Sequence, residues 1–414
     1  MRFVAATYGT EGDTRPLAAL CRALMDAGHE AHLLADGATL GAARALSVPS
    51  AALAGDIKGM LQPALAGSGV EAGKSSFSGT ANALAYIANT NAEAWLRDIV
   101  EAGKGCDAVI VSGLAAFAGL SAAEYLGVKA IGTGFIPITP TAAFASPFLP
   151  PRYIPAIFNR ASHHFVNGML WRAFRNKVNV ARVAVCGLPP RDKLWTDHPM
   201  LFGVSPSLLT ESGQQPGDWP ENAHACGQWV PSSLDWCAPQ ALTDFLEAGE
   251  APMYIGFGSM LGFDRSKLLN DVIEAAAGRR AVFYPGWSGV DSAALPANFH
   301  VIGDTPHEWL FPRTSLVIHH GGSGTTHSAA RAGVPSVVVP FAGDQFFWGD
   351  RLRRAGVAGD PVDGRRLRAS SFAQGIEFAE RVEVRMRARE LGVRMSAEHG
   401  LTHAVSAIEK LMAG

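Results

Sequence analysis

The chain has 414 residues, of which 48% are hydrophobic and 17% charged, and its formal net charge is −2. Domains typically hold about 100–200 residues, so this length predicts two domains. The near-neutral charge argues against nucleic acid as a partner. Low net charge combined with a high apolar content also excludes an intrinsically disordered chain.

Cysteine usage and the N-terminal sequence indicate a cytoplasmic protein. The five cysteines are widely spaced and form no CxxC pair, which argues against both a disulfide framework and a zinc ribbon. The apolar run over residues 3–8 is too short for a secretory signal. The sequence also has no apolar run of about 18 residues, so we expect no membrane-spanning helix. Peripheral attachment to a membrane stays open.

The first part of the chain predicts a parallel α/β sheet. An apolar run over residues 3–8 is followed by strong helix formers at 15–27 and by a second apolar run at 31–35. This order of strand, helix and strand is a βαβ unit. Further apolar runs at 108–111 and 128–132 flank an alanine-rich helical segment and extend the sheet.

The next segment is basic and rich in aromatic residues. No Asp or Glu occurs between residues 125 and 191, although eight Lys or Arg residues lie there. Five apolar residues of this segment follow one another at helical spacing, namely Ile154, Phe158, Ala161, Phe165 and Met169. Such a stripe most often packs into a core, and this is our expectation. The alternative is a surface within residues 135–175 that contacts an anionic membrane.

Residues 211–233 are rich in Gly, Pro and polar side chains and are the predicted connection between two domains. Strands and helices alternate again after it, which predicts a second α/β domain. Its expected strands lie at residues 253–257, 281–284, 300–302, 316–319 and 336–339. The predicted domains are residues 1–215 and 223–395. The end of the last helical stretch (381–412), from about residue 396 to 414, is expected to join the first domain.

The most specific local motif is HHGGSGTT at residues 319–326, between an apolar strand and a helix-compatible stretch. Glycines allow a ligand close to the backbone, and the free N–H groups and dipole at a helix start favour an anion such as a diphosphate. Ser323, Gly324 and Thr325 are placed for this contact. The motif has neither the lysine of a Walker A loop nor the GxGxxG order of a dinucleotide fold. A plain tight turn is the alternative.

Two further strand ends carry polar groups. Asp344 and Gln345 follow the apolar run at 336–339, at the sheet edge where open α/β folds bind ligands. A carboxylate and an amide match vicinal sugar hydroxyls, although Asp344 is also suited to cap the following helix. Ser259 lies in a second glycine turn at residues 256–260, which by itself is weak support for a phosphate site.

The loop GTEGDTRP at residues 9–16 places the carboxylate of Asp13 at the carboxyl end of the first strand. There it would face a cleft between two opposed domains and act as a base. Its position before a helix is also typical of an N-cap, so both roles are open. The sequence has no HExxH, DxD or EF-hand motif, and we expect no protein-bound metal.

These motifs resemble those of the nucleotide-sugar-dependent glycosyltransferases of family one, which have the GT-B fold. The resemblance is strongest to sterol 3β-glucosyltransferases and to the antibiotic glycosyltransferases of actinomycetes. It spans nearly the whole chain and rests on residues 9–13, 146–151, 187–190, 255–260, 306–313, 319–326 and 341–349. It implies an α/β fold of two facing Rossmann-like domains, with the acceptor on the N-terminal domain and the nucleotide sugar on the C-terminal one.

The resemblance also implies the roles of the site residues. Asp13 takes the place of the wider family's catalytic histidine and would remove the proton of the acceptor hydroxyl in a single inverting displacement. No cofactor and no metal ion are expected. The implied donor-binding residues are Ser259, His307, His320, Ser323, Gly324, Thr325, Asp344 and Gln345. Thr10, Phe144 and Phe148 are the expected acceptor-binding residues.

Several positions depart from the family pattern. Ser328 stands where plant members have a glutamate that holds the ribose, and His307 stands where they have a glutamine. Asp304 and Thr305 replace their base-stacking Trp-Ala pair, and Glu11 replaces an arginine that is usual in the subgroup. UDP-sugar and dTDP-sugar donors therefore both stay open, with glucose as the expected sugar.

The acceptor is expected to be a lipophilic molecule with a hydroxyl group, such as a sterol, flavonoid or polyketide. The segments expected to line it, residues 56–80 and 142–171, carry little patterning beyond their apolar character. Two other functions stay open. One is a sugar-nucleotide epimerase of the same fold, and the other is a non-catalytic partner protein that keeps the fold.

Overall fold

The protein folds into two parallel-sheet α/β units. The structure, a computed structural model, describes residues 1–61, 72–231, 236–258, 265–286, 295–364 and 366–413. The strands are β1 Arg2–Ala6, β2 Glu30–Asp36, β3 Ser50–Leu53, β4 Ala108–Val111, β5 Lys129–Gly134, β6 Met200–Phe202, β7 Ala223–Ala225, β8 Met253–Gly256, β9 Ala281–Tyr284, β10 Phe299–Val301, β11 Val317–His319 and β12 Ser336–Val338.

Helices connect these strands and cover both faces of each sheet. The α-helices are α1 Glu11–Asp26, α2 Gly41–Ala45, α3 Ile57–Leu61, α4 Ala72–Ala102, α5 Ala116–Leu126, α6 Asn159–Ala181, α7 Gln240–Glu247, α8 Arg265–Ala276, α9 His307–Leu310, α10 Ser323–Arg331, α11 Gln345–Arg354, α12 Ala369–Glu380, α13 Val382–Ser396 and α14 Gly400–Ala413. The strands and helices predicted from apolar runs are confirmed, with ends that shift by a few residues.

The first sheet has the order β3-β2-β1-β4-β5-β6-β7, and every neighbouring pair is parallel. Its strands are apolar and buried because helices cover both faces. The sheet extends past the boundary that the sequence places at residue 223, because β7 pairs with β6. The loop-rich composition around this short strand conceals it.

The second sheet has the order β10-β9-β8-β11-β12 and is also entirely parallel. In each sheet the chain starts at a central strand and winds outward in both directions. The order reverses between β1 and β4 in the first sheet and between β8 and β11 in the second. Open α/β sheets bind ligands at the carboxyl ends of the strands beside such reversal points.

An apolar cluster joins the two units. Phe144, Phe202 and Trp219 from the first unit pack with Phe347 and Trp348 from α11. Phe144 and Phe347 have ring centroids 5.0 Å apart. Burying this aromatic surface holds the carboxyl ends of the two sheets opposite each other.

The C-terminal helix returns to the first unit. The predicted single helical stretch over 381–412 is instead two helices, α13 and α14, separated at His399, which has φ +47°. Ile408 of α14 is buried in the cluster that includes the α1 residue Leu20, and Glu409 contacts His29 at 3.0 Å. At Gly400, a Cβ atom would lie 2.5 Å from the Gln228 carbonyl oxygen, so only glycine allows α14 to start this close to the interdomain loop.

The predicted apolar stripe of the basic segment does not pack into the core. Two short 3-10 turns, Pro151–Tyr153 and Ala156–Phe158, precede α6, which begins only at Asn159. Phe165 and Met169 of the stripe are 61% and 52% exposed. The core expectation is wrong because the opposite side of α6 supplies the packing surface. Among the described residues, no helix is both long and apolar enough to cross a membrane.

The packing of α14 on the first unit predicts a measurable stability change. Replacing the fully buried Ile408 with alanine should lower the free energy of unfolding by about 2–4 kcal/mol, because it leaves a cavity between α14 and α1. Urea denaturation followed by circular dichroism measures this change. Ser406→Ala, at an exposed position of the same helix, is the control and should change stability by less than about 0.5 kcal/mol. Equal effects of the two substitutions would contradict the docking of α14.

Candidate functional site

The carboxyl ends of both sheets border one cleft. From the first unit, α1 presents Asp13 and Arg15, and from the second unit come the loops after β10, β11 and β12. Arg15 Nη2 donates to Asp304 Oδ2 across the cleft at 3.1 Å. The negative charge of Asp13 contributes to the raised pKa of Asp344, so these two carboxylates also lie near each other. The cleft therefore brings together residues from both units.

Asp13 is held by the start of α1. Thr10, not Asp13, is the N-cap: the Gly12 N–H donates to Thr10 Oγ1 at 3.3 Å. Asp13 is the third helical residue, and its Oδ2 accepts the Thr10 N–H at 2.9 Å, which completes a capping box. The helix thus begins at Glu11, four residues before the predicted start, because this reciprocal pair satisfies its first N–H groups.

Glycine is required where the chain approaches Asp13. A Cβ atom on Gly9 would lie 2.1 Å from Asp13 Oδ2, so any other residue would displace the carboxylate. Burial raises the pKa of Asp13 to about 6, although the hydrogen bonds from Thr10 oppose this shift. A carboxylate with such a pKa is ionised at neutral pH and accepts a proton more readily than an ordinary aspartate.

The HHGGSGTT motif forms a strand end, a glycine turn and a helix start, as the sequence predicts. Gly322 is the N-cap of α10 and no side chain caps this helix. Gly321 has φ +88°, and a Cβ atom there would lie 2.8 Å from Val338 Cγ1 and 3.0 Å from the Gln345 carbonyl oxygen. The first N–H groups of α10 therefore have no side-chain partner among the described residues, which is the local geometry that binds anions.

Gly324 and the histidines shape the space above this helix start. Apart from the backbone of α10 itself, no atom of the described residues lies within 4 Å of a Cβ built on Gly324, so this side of α10 is open among them. His320 packs beside Gly258, whose Cβ would lie 3.2 Å from His320 Cε1. Burial lowers the pKa of His320 to about 4, so its ring is neutral at pH 7. Its Nδ1 has no hydrogen-bond partner among the described residues. Ser259 lies outside the described residues.

Two other histidines support the loop from behind. His327 Nδ1 donates to the Ser323 carbonyl oxygen at 2.7 Å, and its ring packs against Trp348 with centroids 4.7 Å apart. His319 Nδ1 accepts the Gly321 N–H at 3.1 Å. Burial keeps both rings neutral, and these bonds hold the turn in place. Burial lowers the pKa of His327 to about 4.

Asp344 and Gln345 occupy the start of α11. The capping alternative for Asp344 is wrong: its side chain makes no cap hydrogen bond, and its Oδ2 instead accepts the Trp348 Nε1–H at 2.8 Å. Burial raises the pKa of Asp344 to about 6. Gln345 Oε1 accepts the N–H groups of Phe341 and Ala342 at 2.8 and 3.1 Å, so this side chain shapes the loop before the helix.

Comparisons with known proteins agree with this architecture. A model of the family "Erythromycin biosynthesis protein CIII-like, C-terminal domain" matches residues 280–409. Three solved glycosyltransferase structures have similar folds. VinC in complex with dTDP has a TM-score of 0.70 at 18% identity, covering 100% of both chains. The spinosyn forosaminyltransferase SpnP has 0.70 at 15%, with the same coverage. SnogD from Streptomyces nogalater has 0.63 at 21%, covering 100% of this chain and 99% of its own.

The chain has the GT-B glycosyltransferase fold. Curated relatives include the sterol 3-beta-glucosyltransferases of Glomerella lagenarium and Emericella nidulans, both 30% identical to it. The alignments cover 100% and 99% of this chain but 28% and 30% of the relatives, so the chain spans less than a third of their length. The predicted resemblance to family-one glycosyltransferases, in particular to the sterol and actinomycete antibiotic enzymes, is confirmed.

The structure reveals a GT-B cleft residue that the sequence reasoning missed. Gln228, in the loop between the two units, donates from Nε2 to Ser328 Oγ at 3.0 Å and lies 3.5 Å from the Gly324 carbonyl oxygen. Its Oε1 is buried and has no partner within the described part of the chain. No local motif marks Gln228, since only the fold brings residues 228 and 328 together. His307, another predicted donor residue, is stacked on Phe311 at 4.3 Å, and burial lowers its pKa to about 4.

The residues predicted to bind the acceptor are gathered at the cleft less completely than those predicted to bind the donor. Thr10 is next to Asp13, as expected, but its hydroxyl is the helix cap. Phe144 is only 3% exposed because it packs in the interdomain cluster, so the structure does not bring it to an open surface. Phe148 is half-buried. Of the other expected lining segments, part of 56–80 lies outside the described residues. Within the described ranges, no three His, Cys, Asp or Glu side chains group as metal ligands.

The raised pKa of Asp344 predicts a pH-dependent stability change. Its carboxyl binds a proton more tightly in the folded protein than in the unfolded chain, so the stability it contributes is lost as the pH rises from about 4 through 6. Asp344→Asn should therefore raise the free energy of unfolding at pH 7 by about 1–3 kcal/mol, and this gain should vanish near pH 4.

Urea denaturation at several pH values measures this effect. Asp360→Asn, at a 94% exposed carboxylate of the same unit, is the matched control and should change stability by less than about 0.5 kcal/mol at every pH. A gain that does not depend on pH would show that the burial of the Asp344 charge is not its cause.

Proposed function

We propose that this protein is an inverting glycosyltransferase that moves a hexose, with glucose as the expected sugar, from a nucleoside-diphosphate sugar to a hydroxyl group of a lipophilic small molecule. The observation that carries the proposal is that Asp13 from one unit and the open start of α10 from the other border one cleft, which the Arg15–Asp304 contact and the proximity of Asp13 to Asp344 span. A single displacement requires a proton acceptor and an anion site on opposite sides of a bound sugar, and these two groups would supply them. The similarity to sterol glucosyltransferases supports the acceptor class.

In the proposed reaction, Asp13 removes the proton from the acceptor hydroxyl. The hydroxyl oxygen forms a bond to the anomeric carbon while the bond from that carbon to the diphosphate oxygen breaks. The raised pKa of Asp13 suits this role, because a base with a pKa near the working pH combines ionisation with proton affinity. Asp13 keeps the proton, and the nucleoside diphosphate departs with the negative charge.

Charge on the leaving diphosphate would be stabilised by the start of α10. The free N–H groups of Ser323, Gly324 and Thr325, together with the helix dipole, favour an anion at this place. Neutral His320 would donate a hydrogen bond rather than a full charge. These groups would take the role that a metal ion has in other transferases, and we propose a reaction without a metal ion or a cofactor.

The remaining donor contacts follow from their positions in the cleft. Asp344 would accept hydrogen bonds from sugar hydroxyls, with Gln345 holding the adjoining loop. The unpartnered Gln228 Oε1, beside Ser328, would accept a ribose hydroxyl where plant relatives use a glutamate. UDP and dTDP both fit this proposal. The five cysteines are all free thiols, which supports the cytoplasm as the proposed location.

In the proposed donor site, Gly324→Asp should weaken nucleotide binding without unfolding the protein. A carboxylate there enters open space, so the fold should stay intact, but its charge would repel the diphosphate. We expect affinity for UDP or dTDP, measured by isothermal titration calorimetry, to fall at least about tenfold with an unchanged melting temperature. Gly41→Asp, also at an unobstructed helix start, is the control and should leave affinity unchanged. Equal affinities of all three proteins would rule out this anion site.

The catalytic proposal is tested by nucleoside-diphosphate release. UDP-glucose and dTDP-sugars are offered with a panel of sterols, flavonoids and polyketide aglycones in the presence of EDTA, and products are analysed by mass. We expect release that depends on the acceptor and a product heavier by one hexose. A sugar nucleotide epimerised without any acceptor would identify an epimerase instead, and donor binding without turnover would favour a non-catalytic protein or an untested acceptor.

Asp13→Asn should lower kcat by about 100-fold to 10,000-fold while donor affinity stays the same, because the amide cannot accept the proton. Wild-type kcat/KM should fall as the pH drops below about 6, where Asp13 becomes protonated. Glu11→Gln, which removes a neighbouring carboxylate on the same helix turn, is the matched control and should keep most of the activity. Wild-type turnover in Asp13→Asn would refute the base assignment.

A further inference from the structure

Helix α6 carries an exposed apolar stripe along its outer side. Phe158, just before the helix, and Phe165, Met169 and Val180 follow one another at helical spacing and are each more than half exposed. The 3-10 turns before the helix add Tyr153 and Ile157, of which Ile157 is 85% exposed. A folded protein rarely leaves so many large apolar side chains in water on one surface unless a partner covers them.

This stripe is not a misplaced core. The opposite side of α6 is fully used: His163 Nε2 donates to the Phe144 carbonyl oxygen at 3.1 Å, and Asn167 donates to the Ile138 carbonyl oxygen at 3.2 Å. Further along, Trp171, Phe174 and Val178 pack in the core with α4 and α5. The helix is therefore anchored rigidly from inside and presents its second apolar surface outward.

The charge around the stripe is positive. Arg172 lies within the stripe and Lys177 beside it, both exposed, and neither has an ion-pair partner among the described residues. No acidic residue occurs between residues 125 and 191.

Three acids on neighbouring elements contact this segment, and each is paired with one of its other basic residues. Asp218 contacts Arg160 at 2.6 Å, and Asp192 lies 3.9 Å from Arg175. Glu124 accepts from Arg182 at 2.9 Å and lies 3.8 Å from Arg191. The unpaired Arg172 and Lys177 therefore make the charge of the outer surface of α6 positive.

We propose that this surface, formed by Tyr153, Ile157, Phe158, Phe165, Met169, Arg172, Lys177 and Val180 and called here the docking face, binds the surface of a bilayer that contains anionic lipids. Aromatic and aliphatic side chains enter the boundary between headgroups and acyl chains, while the cations contact anionic headgroups. A second copy of the chain fits less well, because a twofold contact would bring Arg172 and Lys177 against the same residues of the partner.

Docking would place the cleft next to lipid-dissolved molecules. The Phe144 loop, which α6 holds through His163, reaches the interdomain cluster beside α11. The protein would thus collect a lipophilic acceptor at the membrane surface. This inference does not depend on the proposed transfer reaction, since vesicle binding requires neither a donor nor turnover.

Co-sedimentation with vesicles tests the docking face. The full chain, without nucleotide, is mixed with vesicles of phosphatidylcholine alone or of phosphatidylcholine with about one third phosphatidylglycerol. We expect clear binding only to the anionic vesicles, weakened by high salt. Phe165→Ser with Met169→Ser should lower the partition coefficient at least about tenfold. Arg172→Gln with Lys177→Gln should lower it about fivefold for each charge removed.

Variants at exposed apolar residues of another helix test whether a loss of vesicle binding is specific to the docking face or follows from any more polar surface. Met386 and Val393 are exposed on α13, and Met386, at 54%, is as exposed as Met169. Met386→Ser with Val393→Ser should leave vesicle binding unchanged. Melting temperature and nucleoside-diphosphate affinity should stay at wild-type values in all variants, which would exclude unfolding as the cause of any loss.

Three results would overturn the proposal. The first is no binding of the wild-type protein to anionic vesicles, and the second is equal binding to both vesicle types. The third is a dimer in light scattering that the Phe165→Ser and Met169→Ser variant abolishes while vesicle binding is unaffected, which would make the docking face a contact between copies. Loss of glycosyl transfer with intact vesicle binding would count against the proposed function only.

Discussion

The side chain of Trp348 connects the core between the two units to the side of the cleft that the second unit forms. Its ring is fully buried in the interdomain cluster and packs against Phe347 and His327. Its indole N–H donates to Asp344, and His327 in turn holds the start of α10 through the Ser323 carbonyl oxygen. The apolar packing that holds the two sheets together therefore also positions the Asp344 carboxylate and the glycine turn at residues 319–326. Interdomain geometry and site geometry are consequently coupled.

Burial shapes the electrostatics of the cleft more than ion pairing does. It raises the pKa of Asp13 and Asp344 to about 6 and lowers that of His320 and His307 to about 4. At neutral pH the histidines are uncharged, and the carboxylates are ionised but prone to accept a proton. Among the described residues no cation lies in the glycine turn at residues 319–326, so the positive potential there comes from the open start of α10. Such a cleft is destabilised by its own charges, which is common at functional sites.

The two faces of α6 illustrate how one helix serves two environments. Its inner side supplies Trp171 and Phe174 to the core, whereas its outer side leaves Phe165 and Met169 in water. Helical spacing predicted an apolar stripe correctly but could not distinguish a buried stripe from an exposed one. The other side of the helix carries a second apolar series, and the tertiary packing buries that series instead of the predicted stripe. The excess of basic residues was visible in the sequence and is consistent with the exposed interpretation.

The sequence by itself determined the elements and the site motifs. Apolar runs placed the strands, glycines marked the turn at residues 319–326, and Asp13 and Asp344 were placed at strand ends, because these patterns depend on neighbours along the chain. Only the tertiary structure decided that Thr10 rather than Asp13 caps α1, that Asp344 receives Trp348 instead of capping α11, and that Gln228 meets Ser328. It also decided that Phe144 is buried and that β7 belongs to the first sheet. The hydrogen bonds at Thr10, Asp13, Asp344 and Trp348 are short-range, but several donors compete for each acceptor. The contacts of Gln228 and Phe144 join residues far apart in the chain, and only folding brings these together.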